Sequence, residues 1–445
     1  MKCPRCGREW ISFIPPQCLC GELLEISYDY SNVDPRKWKK REKGVWRYKE
    51  LLPRVNEIIT LKEGGTPLVR AKIGEELDLN IYIKDETRNP TGSFRDRLVT
   101  VGVSYGLSYA DNGFIVASDG NAAASLAAYA ARANKEAFVV VPRRVDKGKL
   151  IQMIAFGARI IRYGDSVDDC IDYARELAKL NGLYDITPEN NIIGLEGQKT
   201  VAFELWEEIN PTHVVVPTGS GSNLYSIYRG FKELLEIGAI DGLPKLIAVQ
   251  TDRCNPIAGE ILRIKPKREF TKALGLYVKD PVNRERAVKA VKESGGTAVV
   301  IKEDELDLGE KMLAKEGVFA EYASAVVIPA LLKLNDEGYF EKDDRIVLIV
   351  TGSGLKGYYI EEREKFSIGG TKLKILKMLR EKPMYGYEIW ENLEKPMKYQ
   401  AVYQHVKELE SLGLIEEAYK KGRRIYYKLT EKGQRLLENF EEFEE

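Results

Sequence analysis

Between roughly Leu51 and Tyr359 the chain alternates short apolar runs with helical patterns. GFIVAS precedes NAAASLAAYAARA, EAFVVVP precedes KGKLIQMIAFGA, and THVVVPTG precedes SNLYSIYRGFKELL. Strands joined through helices run parallel, and a parallel sheet needs helices to cover it, so the alternation predicts an α/β body around a mostly parallel sheet. In such sheets the carboxyl ends of the strands line the ligand crevice. Three strand-to-helix turns carry polar groups there. In VVVPTGSGSN, the residues Gly219, Ser220, Gly221, Ser222 and Asn223 suit a phosphate, because small residues let backbone N–H groups approach and a helix N-terminus adds partial positive charge. The same run would also serve as a plain tight turn. In ASDGNAAAS, Ser118, Asp119, Gly120 and Asn121 stand at the mouth of a helix, where Asn121 either caps the helix or meets a ligand. In IVTGSGLK, Thr351 ends an apolar strand.

The two ends of the chain have a different character. Cys3 and Cys6 form C-x2-C, and Cys18 and Cys20 form C-x-C, each pair followed by a glycine. Four soft ligands close a tetrahedral zinc site with no position left open, so the expected ion is structural, in a zinc-ribbon-like segment 1–27. So short a segment has little core of its own. Cys170 and Cys254 stand alone and read as packing residues. The chain has 68 Lys and Arg, 68 Asp and Glu, and no net charge, so a nucleic-acid partner needs a local basic region. The C-terminus has one. A charged linker, 361–370, leads into 371–445, where TKLKILKMLREK carries a helical stripe at 373, 375, 376 and 379. PMYGYEIWENLE and KYQAVYQHVKELESLGLIEE read as two further helices, and KKGRR turns between two strands. Three helices and a basic hairpin make a winged helix. Residues 366–437 hold 15 Lys or Arg against 9 Glu. Winged helices put the third helix in the major groove and the wing on the backbone. The expected DNA contacts are Lys398, Tyr399, Gln400, Tyr403, Gln404 and Lys407 on or before that helix, and Lys420, Lys421, Arg423 and Arg424 on the wing. Use of the winged helix for protein contacts is the alternative.

No apolar run approaches the ~20 residues of a membrane helix, and MKCPRCG is no signal peptide. The expectation is a cytoplasmic protein with no membrane partner. Two histidines against abundant Glu, Lys and Arg lean thermophilic.

Several of these motifs, in this order, resemble the threonine synthase branch of the fold-type II pyridoxal-phosphate enzymes. The likeness spans roughly residues 1–357 and rests on CPRCG, CLCGELLE, EGGTPLV, KDETRNPTGSFRDR, ASDGNAAAS, GLEGQKTVAFE, VPTGSGSN, ESGGTAVV, EGVFAEYASA and VTGSGLK. It implies a body at 28–360 of two α/β subdomains, like the tryptophan synthase β chain, with the cofactor between them. Gly219 to Asn223 would cradle the cofactor phosphate, Asn121 would meet the ring hydroxyl, and Thr351 the pyridine nitrogen. The C-terminal YGYEIW and LESLGLI resemble PadR-type regulators.

The departures from that resemblance are concentrated at the chemistry. Where the family has a lysine that forms the Schiff base, this chain has Arg95. Guanidinium stays protonated and has no amine lone pair for an aldehyde. The family's substrate-phosphate arginine and serine match Gly194 and Glu189, Asp119 stands where Ser or Thr is usual, and Tyr322 stands where Pro is common. Lys84, Lys199 and Lys356 lie in motif segments, and Lys199 is placed near the crevice as a ligand contact or replacement amine. The expectation is a transcription regulator, with no catalytic residue, in which a disabled body senses pyridoxal phosphate non-covalently, an amino acid, or both, and a dimeric winged helix binds double-stranded DNA. The alternatives are a working pyridoxal-phosphate threonine synthase or lyase with a regulatory domain, and a scaffold for a partner enzyme.

Overall fold

The structure is a computed structural model that describes all residues except 4, 11–17, 21–22, 119, 144–146, 165–166, 190, 357–369, 394–398, 423 and 442–445. Asp119, Lys398, Arg423 and nearly all of the 361–370 linker therefore lie outside the described residues. The chain divides into two compact units, Met1–Gly357 and Tyr358–Glu445.

The first unit holds two sheets. The larger has the order β1-β2-β10-β7-β8-β9, from Leu68–Arg70 (β1), Asn80–Asp85 (β2), Arg345–Val350 (β10), His213–Pro217 (β7), Lys245–Thr251 (β8) and Thr297–Ile301 (β9). All its neighbours pair parallel except β1 with β2. The smaller has the order β5-β4-β3-β6, from Arg159–Arg162 (β5), Ala137–Val141 (β4), Phe114–Ala117 (β3) and Tyr184–Asp185 (β6), all parallel.

Val- and Ile-rich runs form these strands because both faces are covered. Alternate residues of one strand go to opposite cores: Val214 and Val216 of β7 pack with Leu224, Phe231 and Trp38, while Val215 packs with Ile247, Leu331 and Leu348. The Asn121–Arg132 helix is mostly alanine, the strongest helix former, and its small side chains fit it tightly against the small sheet.

The cysteine segment is not a body of its own but part of the first unit. Cys3, Cys18 and Leu24 pack with Ile192. The Arg286 guanidinium donates to the Leu23 carbonyl at 2.7 Å, and Arg229 donates to that of Ile26 at 3.1 Å.

The second unit is a winged helix: helices Gly370–Glu381, Gly386–Asn392 and Tyr399–Ser411, then Ile415–Lys421 (β12) and Arg424–Leu429 (β13), with Met384–Tyr385 (β11) completing an antiparallel sheet of order β11-β13-β12. A helix at Glu431–Glu441 follows, where only an acidic tail stood out in the sequence. Thr430 starts it, its hydroxyl accepting from the Gly433 N–H at 3.1 Å, and Leu437 drops into the core beside Ile375 and Leu376. Among the described residues, no helix is long and apolar enough to cross a membrane.

Candidate ligand site and nucleic-acid interface

One cavity of about 470 Å³ in the first unit is lined by Arg95, Ser118, Gly120, Asn121, Thr351 and the run from Gly219 to Asn223. The loop after β7 forms its floor. Gly221 has φ +84°, and a Cβ on Gly219 would fall 2.4 Å from the Gly275 carbonyl oxygen, so glycine is required at both. The Ser222–Glu236 helix starts here, with its free N–H groups at the cavity. Asn223 is 6% exposed, and neither atom of its amide has a hydrogen-bond partner. A buried polar group left unpaired in a native site is costly and points to a bound group that pairs it. This floor fits an anion such as a phosphate monoester.

Arg95 opens the Arg95–Gly106 helix, and its neighbours anchor it. The Asp96 carboxylate accepts from the Thr91 N–H at 2.7 Å, the Thr91 hydroxyl at 2.6 Å and the Ser125 hydroxyl at 2.5 Å. Arg97, fully buried, forks onto Glu86 at 2.7 Å and Glu204 at 2.6 Å, and Lys84 reaches Glu204 at 2.8 Å. Burial alone would raise the Glu204 carboxyl, yet Arg97 and Lys84 hold it well below the usual carboxylate range. On this fixed base the Arg95 guanidinium reaches toward the cradle, with Nη1 3.5 Å from Ser222 Oγ. Burial lowers the Arg95 pKa, while Glu189 and Glu321 act in the opposite sense. The Glu189 carboxyl is raised by burial, with Arg95 opposing.

Asn121 does not cap its helix. Its Nδ2 donates to Glu321 Oε1 at 2.9 Å, and its Oδ1 accepts from Lys356 Nζ at 3.3 Å. Glu321 was not among the expected site residues, and Lys356 was weighed only as one of three lysines in motif segments, although EGVFAEYASA and VTGSGLK contain them. The Thr351 hydroxyl is 2.7 Å from that of Ser324, which also accepts the Thr351 and Gly352 N–H groups at 3.1 and 2.9 Å. The rim adds Asp168, Lys279 and Asp280.

Two expectations need correction. Lys199 is not in this cavity. It is 1% exposed in another part of the unit, bonded to Glu196 and to Glu233 at 2.8 Å, with its ammonium 4.1 Å from the Tyr28 ring centroid. It joins two helices, Ile192–Gln198 and Thr200–Glu208, and that joint turns its side chain inward to two carboxylates. Gly194 is not a lost cation in the cavity wall either. A Cβ there would lie 2.9 Å from Leu98 Cγ, because the Ile192–Gln198 and Arg95–Gly106 helices touch at that point. Glu189 does line the cavity.

Cys3, Cys6, Cys18 and Cys20 converge, with all four sulfurs within 4.8 Å of one another and the pairs Cys3–Cys20 and Cys6–Cys18 at 3.5 Å. Zn–S bonds of about 2.3 Å imply tetrahedral edges of roughly 3.8 Å, so the set fits a thiolate-bound ion. Burial opposes the Cys3 thiolate, but N–H groups of Cys6 and Arg5 and neighbouring thiols outweigh it and bring its pKa down to about 6.

In the second unit, the third helix buries Val402, Val406 and Leu409 and exposes Tyr399, Gln400, Tyr403, Gln404 and Lys407. The exposed set shares one face, at the spacing needed to enter a groove. Lys407 pairs with Glu410 at 2.8 Å, and Gln404 with Glu408 at 3.4 Å. Lys420, Lys421 and Arg424 are exposed around the Gly422 turn, with Arg424 4.8 Å from the Tyr385 ring centroid.

Comparison with known proteins extends this picture. A family model described as pyridoxal-phosphate dependent enzyme matches residues 59–352, and one described as transcriptional regulator PadR-like family matches residues 375–439. The chain is 42% identical over 374 residues to a threonine synthase of Methanocaldococcus jannaschii, and 36% identical over 372 residues to one of Methanosarcina acetivorans. Each match covers 80% of this chain and 92% of the relative. Among solved structures, a processed threonine deaminase isoform 2 from Solanum lycopersicum matches with a TM-score of 0.59 at 24% identity, over 67% of this chain and 81% of that one. Maize serine racemase matches with a TM-score of 0.59 at 20% identity, over 68% of this chain and 91% of that one. At these identities the structural likeness speaks to the fold of the first unit.

Proposed function

The chain belongs to the pyridoxal-phosphate dependent enzyme family, as a threonine synthase homologue with a PadR-like C-terminal domain, and we propose that its enzyme-like body senses a ligand on behalf of a DNA-binding winged helix. The observation that carries this reading is Arg95 at the cavity. The position that the resemblance gives to the cofactor-binding lysine holds a guanidinium, which stays protonated and cannot act as a nucleophile or a base near neutral pH. The phosphate floor is kept while the amine is gone.

When bound, pyridoxal phosphate supplies an electron-withdrawing ring for chemistry at an amino acid's α and β carbons. In this chain the residues would hold it rather than use it. Gly219 to Asn223 would take its phosphate through backbone N–H groups and the Asn223 amide, with Arg95 adding charge. Asn121, on which Glu321 and Lys356 converge, would meet the ring hydroxyl, and Thr351, seated on Ser324, would face the ring nitrogen. Ser118 and Gly120 line the wall where an amino acid would enter. The four cysteines would carry a structural zinc ion, in a segment packed on Ile192.

The third-helix face and the basic wing tip would bind double-stranded DNA, and two copies in a homodimer would suit a two-fold symmetric site. A ligand changes DNA affinity only if it binds two arrangements of the protein unequally, which titration detects as linkage. The test is fluorescence anisotropy with DNA from upstream of the protein's own and neighbouring genes, over a range of salt, with and without pyridoxal phosphate. Salt-sensitive binding that shifts with the ligand supports the reading, and absence of any salt-sensitive binding sinks it.

A second reading is favoured by Lys356. Its side chain is 3% exposed and its Nζ reaches Asn121 at the cavity. A working lyase or threonine synthase with an attached regulatory domain would take its amine from there. Borohydride reduction in the presence of pyridoxal phosphate, followed by peptide mapping, would place the cofactor on Lys356 in that case.

A further inference from the structure

The reading above leaves open which form of the ligand the cavity prefers, and the distribution of charge speaks to that. The positive end is the floor: the first turn of the Ser222–Glu236 helix, the unpartnered Asn223 amide, and Arg95 leaning on Ser222 at 3.5 Å. The opposing wall is acidic. Glu189 and Glu321 both line the cavity, Glu321 accepting from Asn121 at 2.9 Å, and both interact electrostatically with the Arg95 guanidinium. The rim adds Asp168 and Asp280 against Lys279, with Asp280 already paired to Arg268 at 3.3 Å. Lys356, 3% exposed, already donates to Asn121 at 3.3 Å, so beside it the two interior carboxylates share the Arg95 cation that a phosphate on the floor also needs.

A phosphate monoester carries a charge of about −1.5 to −2 at neutral pH. Once it draws on Arg95, Glu189 and Glu321 are left short of positive charge in a partly buried space, which is costly. A ligand with an aldehyde or a hydroxyl brings no remedy. A ligand with a primary ammonium does, since an ammonium donates charge-assisted hydrogen bonds to carboxylates.

Resting on the proposed ligand-sensing body, we propose that the cavity selects the aminated form of the cofactor, a pyridine phosphate carrying a primary amine, over the aldehyde form. The amine that Arg95 cannot supply comes in with the ligand. Glu189 and Glu321 are the specificity-determining residues, and Arg95 with the cradle holds the phosphate. Binding is non-covalent, with no bond made or broken.

The experiment is calorimetric titration of the full chain with pyridoxamine phosphate, pyridoxine phosphate and pyridoxal phosphate, which share ring and phosphate and differ in one substituent. The expected result is about tenfold or tighter binding of the amine over the hydroxyl and aldehyde forms, as one charge-assisted hydrogen bond allows. Joint Glu189→Gln and Glu321→Gln substitution should bring the three within about twofold while pyridoxine phosphate affinity holds or rises, since a repulsive wall is gone. Equal affinities in the native protein overturn the proposal but leave a phosphate-binding body standing. Tighter binding of pyridoxal phosphate, trapped on Lys356 by borohydride, overturns it in favour of the enzyme reading. Binding of none of the three removes this proposal and the pyridine-phosphate ligand together.

Discussion

Arg95 leans on Ser222, guanidinium Nη1 to hydroxyl Oγ at 3.5 Å, so the side chain that the resemblance sets in the lysine's position addresses the first turn of the helix that floors the cavity. On the proposed reading this contact makes the arginine part of an anion site. Replacing it by methionine keeps length and removes the fork of donors. A charged hydrogen bond is worth about 1.5–3 kcal/mol, so pyridine-phosphate affinity should fall roughly 10- to 100-fold in Arg95→Met, as read by calorimetry. The converse variant, Arg95→Lys, restores an amine over an intact floor. After pyridoxal phosphate and borohydride it should gain the mass of one reduced cofactor, which the native protein should not.

Beneath Arg95, the buried Arg97 serves Glu86 and Glu204 at once. Arg97→Met would leave two carboxylates buried with only part of their partners. Removing one member of a buried ionic cluster costs about 3–5 kcal/mol, so the urea midpoint of the first unit should drop sharply. An unchanged midpoint would mean that water reaches the cluster and screens it.

The cysteine quartet makes its own prediction. A tetrahedral thiolate ion gives one metal per chain by elemental analysis, and Cys6→Ser should abolish it. Because Arg286 and Arg229 grip the backbone just after the knuckle, loss of the ion should also lower the thermal midpoint of the first unit. Retained stoichiometric metal in Cys6→Ser would rule out a four-thiolate site.

Much of this was legible in the sequence because its signals are local. The valine run of β7 and the glycines after it announce a parallel strand and a tight turn, and the structure puts Gly221 at φ +84° there. What stayed hidden depends on distance along the chain. Asn121 bonds partners 200 and 235 residues away, so its choice of Glu321 and Lys356 over a helix cap has no neighbouring cue. Lys199 looked close to the crevice because its motif is, but a helix joint turns it to Glu233, 34 residues on. The Glu431–Glu441 helix was hidden in the sequence because the acidic run ENFEEFEE after Leu437 drew attention to charge rather than to the Leu437 anchor.

At the wing tip, Lys420, Lys421 and Arg424 surround the Gly422 turn and are exposed. On the proposed reading they would meet phosphates rather than bases. Each phosphate contact contributes about 0.9 to the slope of log K against log salt. Lys421→Ala with Arg424→Ala should therefore weaken binding alike on all DNA sequences and reduce that slope by nearly two. Gln400→Ala or Gln404→Ala, on the third helix, should instead change the preference among sequences and leave the slope in place.

His213 begins β7, 2% exposed, with Nδ1 2.9 Å from the Thr212 hydroxyl and 3.3 Å from Asp344, and with Nε2 unpaired among the Tyr339 and Phe340 rings. Burial lowers its pKa below 6.5, and Asp344 opposes without reversing this. The folded protein thus holds the imidazole neutral at pH values where the unfolded chain, with a pKa near 6.5, takes up a proton. The unfolded state binds more protons in that window, so stability rises with pH through it. The contribution is complete above about pH 6.5 and is lost as pH falls through the lower folded value, at no more than about 1.4 kcal/mol per pH unit for one proton. Urea unfolding between pH 7.5 and 5.5 should show this acid limb in the native protein. His213→Gln should be less stable at pH 7.5 but should lack that component of the slope. An equal slope in both proteins would show that the limb does not arise at His213.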